Sequence, residues 1–242
     1  MIKSLQKEEE IVRGRTAITT VLFDAGGTLV HLDYFFLHKE LCRAGVRVSR
    51  REVRRAEYAA KREIDRRVLG VFPETDETRR RPYFAALLDH LAVDMDIATQ
   101  LLRRFDAAHA QDNLWRVMMP STPQVLAELH GRGLTLGVVS NADGRIASIL
   151  RHCGIEQFFD VVIDSHLVGV EKPDPRIFQL ALEQARAQVE CTVFVGDIYG
   201  IDVLGAERVG IRPFLLDVLG FYDDVQCEKI RHLRELLTKI SD

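Results

Sequence analysis

Asp24 stands at the end of the apolar run "AITTVLFDA" and is followed by Gly26, Gly27 and Thr28. A lone carboxylate behind a buried strand, with glycines at its back, reads as a nucleophile poised over an anion site. Further along, Ser140 and Asn141 end "LGVVSN", Lys172 sits in "GVEKPDP", and Asp197 and Asp202 share "VFVGDIYGIDVLGA". If these groups meet, Asp197 and Asp202 facing Asp24 would repel one another unless a cation lay among them. Hard oxygen ligands at that density suit Mg²⁺, which takes one or two carboxylates together with waters and a phosphate. Ser140, with Asn141 beside it, could contact phosphate oxygens, and Lys172 could neutralise charge that develops during phosphoryl transfer.

Such residues need a scaffold that gathers them. From about residue 120 the chain alternates apolar runs with amphipathic stretches: "LTLGVVSN", "FFDVVIDS", "CTVFVGD" and "RPFLLD" as strands, with helices between them and a closing helix "CEKIRHLRELLTKI". Short loops between strand and helix predict right-handed βαβ units, hence an α/β fold with a parallel, Rossmann-like sheet. Ligands of such sheets sit beyond the carboxyl ends of the strands, where each candidate residue falls.

The stretch from 33 to 115 differs, with helical spacing throughout. Ser49 and Asp94 are placed as N-caps, and Gly45 and Gly70 as stops. The expected organisation is an N-terminal extension over 1–16, a core of 17–32 and 116–242, and an inserted helical cap over 33–115. Between residues 43 and 81 the 13 Arg and Lys exceed the 7 Asp and Glu, a surplus of six positive charges that would draw an anionic substrate to the cleft. "YFF" at 34–36 and Trp115 read as packing residues.

With 242 residues, 47% hydrophobic, 29% charged and a net charge of −3, the chain has an ordinary globular composition and no overall basicity that points to nucleic acid. The four scattered cysteines form no CxxC pair, which fits a reducing cytoplasm better than a zinc or disulfide framework. No stretch predicts a secretory signal or a membrane span, and no feature specifies an oligomeric state.

Taken together, "FDAGGTL", "VVSNADG", "EKPDPRIF" and "VGDIYGIDVLGA" resemble, in order and separation, the four motifs of the haloacid dehalogenase superfamily of hydrolases. The resemblance implies Mg²⁺ dependence and an aspartyl-enzyme intermediate on a small phosphorylated substrate. It assigns Asp24 as nucleophile, Thr28 and Ser140 as donors to phosphate oxygens, and Lys172 as charge stabiliser. Asp197 and the backbone carbonyl of Gly26 would join Asp24 as metal ligands, with Asp202 supporting through water or at one remove.

One departure matters. Phosphatases of this family carry a second Asp where this chain has Gly26, and that Asp protonates the leaving group. A positioned acid or base contributes about 10²–10⁴ in rate. Either another group replaces it, with His31 and Asp33 the nearest candidates, or the leaving group needs little protonation. Chemistry at carbon is an alternative, as in the dehalogenases, or as in phosphonate hydrolysis with a cap lysine. Lys39 and Lys61 are the cap lysines, and the arginine-rich surroundings of Lys61 predict a solvated face. A non-catalytic binding module is the remaining alternative.

Overall fold

The computed structural model describes residues 17–69 and 75–241. The expected extension over 1–16, and Gly70 as a helix stop, lie outside the described residues. Strand β1 (Thr20–Phe23) ends at Asp24 and is buried throughout. Two short antiparallel strands, β2 (Val30–Leu32) and β3 (Trp115–Met118), frame four helices: α1 (Tyr34–Arg43), α2 (Arg50–Leu69), α3 (Asp76–His90) and α4 (Met95–Gln111). The chain then alternates α5 (Thr122–Gly131), β4 (Thr135–Ser140), α6 (Ile146–His152), β5 (Val161–Asp164), α7 (Ser165–Val168), α8 (Pro175–Ala185) and β6 (Thr192–Gly196). It closes with α9 (Leu204–Glu207), β7 (Arg212–Leu216), β8 (Lys229–Ile230) and α10 (Leu236–Lys239).

The six-stranded sheet runs β5-β4-β1-β6-β7-β8, each neighbouring pair parallel. Strand order reverses at β1, with β4 on one side and β6 on the other. The crevice beyond the carboxyl end of β1 is therefore the topological switch point, the natural ligand site of such a sheet.

Helices α1 to α4 have local reasons to form. Ser49 Oγ accepts from Glu52 N while Glu52 Oε2 accepts from Ser49 N, a capping box at the head of α2. The Asp94 carboxylate accepts from the N–H groups of Asp96 and Ile97 at the head of α4. Despite its many arginines, α2 buries Val53, Ala56, Ala60 and Ile64 at helical spacing. These join Leu37, Phe84, Leu87 and Phe105 in an apolar cluster that runs from Leu32 to Leu114, separate from the clusters under the sheet.

Three segments differ from expectation. The "closing helix" begins instead as strand β8: Leu215 N and Asp217 N donate to the carbonyls of Glu228 and Ile230, completing the free edge of β7. The helix after β6 starts with one wide turn over Tyr199–Val203, because the Asp202 carboxylate is drawn back to the N–H groups of Asp197 and Ile198. The β2–β3 pair is absent from the expectation, and it brings Trp115 beside the loop that follows β1. Among the described residues no helix is long and apolar enough to cross a membrane.

Candidate active site

The strand-end residues converge. Lys172 Nζ lies 2.6 Å from Asp24 Oδ1 and 2.7 Å from Asp202 Oδ1, with the ammonium wholly buried. The other oxygen of Asp202 accepts from Asp197 N at 3.0 Å and Ile198 N at 2.9 Å. Asp202 is thereby a brace for the lysine and the loop, while Asp24, Asp197 and Asp202 keep ligand oxygens within 4.8 Å of one another. Asn141 clamps the lysine's main chain from the other side. It accepts from Lys172 N at 2.8 Å and donates to Lys172 O at 2.9 Å, so its amide positions Lys172 rather than waiting for phosphate. Ser140 is buried at the end of β4 and shares the cavity lining with Asp24 and Lys172.

Several polar atoms here have no partner. Asp24 Oδ2, Asp197 Oδ1 and Thr28 Oγ1 are buried without a hydrogen bond. Orphaned buried acceptors are rare and call for a ligand or ion. Burial pushes the Asp24 carboxyl up to about 7, Lys172 opposing the rise and the Asp202 and Asp197 charges adding to it. Asp197 is pushed up to about 6 by burial, against the pull of Lys61. Among the described residues Asp24, Asp197, Asp202 and Glu57 pair with two ammonium groups, those of Lys61 and Lys172, which leaves two of the four carboxylate charges unmatched within the cluster. A divalent cation of hard character fits that charge, those free oxygens and that oxygen-only donor set.

Lys61 is a correction. Its expected solvated face does not exist: Nζ is buried, 2.5 Å from Asp197 Oδ2, 3.4 Å from Glu57 Oε1 and 4.3 Å from the Tyr58 ring centre. Burial disfavours the ammonium, but Asp197 and Glu57 outweigh it and hold its pKa well above the usual lysine range. Glu57 is in turn held by the hydroxyls of Tyr34 and Tyr83. A sequence signal existed: Glu57, Lys61 and Asp65 recur every fourth residue along the edge of the apolar stripe, as an acid–base–acid row. Asp65 completes it by accepting from Gly200 N at 2.6 Å, on the loop that carries Asp202.

His31 is a second correction. It lies in β2 opposite Val117, buried, and is not among the residues lining the cavity. Burial, with Lys61 and Arg54 nearby, lowers its pKa to about 3, so it stays neutral and cannot serve as a reservoir of protons. Asp33 caps α1 and pairs with Arg116 at 2.9 Å. The space beside Gly26 is taken by an aromatic ring: a Cβ there would lie 3.4 Å from Trp115 Cδ1. Gly27, at φ +90°, admits no side chain, since its Cβ would come within 1.9 Å of Asp197 Oδ2.

The cavity over these groups, about 950 Å³ with its open mouth, is closed from the helical side by Lys61, Arg79, Arg80, Tyr83, His109 and Trp115. Sequence reading had singled out neither Arg79 nor Arg80 among a run of arginines, nor His109, which bonds Asp143 Oδ2 at 3.1 Å across the two parts of the chain.

The chain is similar to known proteins. Over 134 residues the chain is 38% identical to haloacid dehalogenase-like hydrolase domain-containing protein 3 of Homo sapiens, covering 55% of this chain and 51% of that protein. Phosphatase MT3486 of Mycobacterium tuberculosis (strain CDC 1551 / Oshkosh) is 28% identical over 207 residues, 84% of this chain and 89% of that one. The crystal structure of a HAD phosphatase from Thermococcus onnurineus superposes with a TM-score of 0.58 at 25% identity, covering 92% of this chain and 98% of that chain. The chain spans about half the length or less of the first curated relatives it matches. The model of haloacid dehalogenase-like hydrolases matches residues 18–210, and with the four motifs gathered at one switch point, this chain belongs to that family.

Proposed function

We propose that the chain is a Mg²⁺-dependent phosphatase of small phosphorylated metabolites, with Asp24 as nucleophile and the segment 33–115 as its cap. The observation that carries the reading is the pair of orphaned oxygens, Asp24 Oδ2 and Asp197 Oδ1, in a cavity where the buried ammonium groups of Lys61 and Lys172 are already paired. The phosphatases among the relatives and neighbours support it.

Lys172 holds Asp24 Oδ1, which leaves Oδ2 to attack phosphorus and form an aspartyl phosphate, later hydrolysed to restore Asp24. Ser140 and the unpartnered Thr28 hydroxyl supply donors to the phosphoryl oxygens. Mg²⁺, when bound, would be held by Asp24, Asp197 and the Gly26 carbonyl, with Asp202 behind, and would neutralise charge on the transferred group. Among the described residues Trp115, and no carboxylate, stands beside position 26, and His31 does not line the cavity. The favoured leaving group is therefore one that departs with little protonation, as in acyl or aryl phosphates. The four cysteines are free, which supports a cytoplasmic site of action.

The test is turnover of p-nitrophenyl phosphate and acetyl phosphate in Mg²⁺, with loss on adding EDTA and in Asp24→Asn. Turnover of a haloacid that survives EDTA would instead establish chemistry at carbon.

A further inference from the structure

The cavity wall built by the helical segment carries one cation that is in ion-pair contact with no carboxylate among the described residues. Lys61 meets Asp197, Arg79 meets Glu171, His109 meets Asp143 and Lys172 meets Asp24. Arg80, on α3, also lines the cavity, but among the described residues it forms no ion pair. Its Nε is buried and has no hydrogen-bond partner. Arg80 as a whole is half-buried, and its buried Nε–H lacks an acceptor that an anion brought by a ligand would supply.

Resting on the phosphatase reading, we propose that Arg80 receives a second anionic group of the substrate, a carboxylate. The substrate class is then a small phosphorylated carboxylic acid, its phosphoryl group at Asp24 and its carboxylate on the guanidinium fork. The planar fork matches a carboxylate in two parallel hydrogen bonds. Charge favours a carboxylate over a second phosphate. One uncompensated positive charge balances a singly charged group, whereas a second phosphate would bring about two negative charges to a wall whose other cations are already paired. Tyr83, three residues on along α3, and Trp115 supply the apolar surface between the two ends.

The matched probes are 3-phosphoglycerate and glycerol 3-phosphate, which share a carbon skeleton and differ in carboxylate against hydroxymethyl. Their inhibition constants against p-nitrophenyl phosphate turnover are compared in wild type, Arg80→Met and Arg80→Lys. Calorimetric Kd values on Asp24→Asn give the same ratio without any dependence on catalysis. Thus a failure of the phosphatase reading, seen as no turnover, is distinguishable from a failure here. Wild type should prefer 3-phosphoglycerate by about tenfold or more. The preference should collapse to near unity in Arg80→Met and recover partly in Arg80→Lys. A wild-type ratio near one, or a ratio that survives in a folded Arg80→Met, overturns the assignment.

Discussion

Lys61 Nζ and Asp197 Oδ2 lie 2.5 Å apart, so an ammonium on the helical insertion grips a carboxylate at the carboxyl end of β6. The contact leaves Asp197 Oδ1 free and facing the cluster with Asp24 and Asp202. The insertion therefore contributes directly to the electrostatics of the site, along with closing over it. Asp65, one turn further along α2, reinforces the grip at Gly200, and Arg62 reaches Asp224 at 2.6 Å.

Lys61→Met strands Asp197 and Glu57 as buried carboxylates. Removing one partner of a buried pair costs about 3–5 kcal/mol. Urea unfolding without Mg²⁺ should show that loss. Adding Asp197→Asn should return part of it, because the double variant no longer buries both uncompensated charges. Equal stability of wild type and Lys61→Met would show the contact to be energetically idle.

Asp65 should impose a pH dependence on stability. Burial raises its carboxyl from 3.8 to about 6 in the folded chain, against hydrogen bonding from Gly200 and the charge of Arg62. Between those values the folded state keeps a proton that the unfolded state has released. The contribution of Asp65 to stability therefore falls as pH rises from about 4 to about 6 and levels off above. Unfolding free energies of wild type minus Asp65→Asn, measured across pH 4 to 8, should slope downward in that window. A flat difference would remove the assignment.

Gly27→Ala sets a methyl against Asp197 Oδ2, with 1.9 Å available, at a positive φ that disfavours any side chain. Backbone strain of this kind costs about 1–3 kcal/mol. The displaced Asp197 should also weaken Mg²⁺ binding, read by calorimetry, more than an equally destabilising change in the distant core would.

Gly26→Asp tests the missing acid, and Trp115 decides its outcome. The Cβ fits at 3.4 Å from the indole, but the carboxylate beyond it must share space with the ring. Alkyl phosphate turnover should rise little in Gly26→Asp alone. It should rise further when Trp115→Ala is added, within a ceiling of about 10²–10⁴ for a positioned acid. An equal gain with and without Trp115 would show that the ring does not guard the position.

Most of the Rossmann-like core was legible because its signals are local. A buried parallel strand is a short apolar run, and a helix is a stripe, so β1, β4, β5, β6 and β7 fall where the runs fall. The two later departures have different causes. Strand β8 exists only because β7 offers an unpaired edge, and the wide turn at Tyr199–Val203 exists only because Asp202 bonds back to the loop. The first depends on a strand across a loop; the second depends on partners only four and five residues back, but on a side-chain bond that helical periodicity does not encode.

By itself the sequence determined the core strands β1, β4, β5, β6 and β7 and singled out Asp24, Ser140, Asp197 and Asp202 behind their apolar runs, with Lys172 in the loop that follows β5 and α7. It could do so because strand direction carries every such residue to one edge of the sheet. Only the tertiary structure decided that Lys61 leaves its arginine-rich neighbours to pair with Asp197, that His31 is buried away from the cavity lining, and that Trp115 packs beside Gly26. Those outcomes depend on how two separately packed parts of the chain meet. Burial at that junction is worth enough to bring a lysine in from water when carboxylates await it, and no window of sequence contains both sides of it.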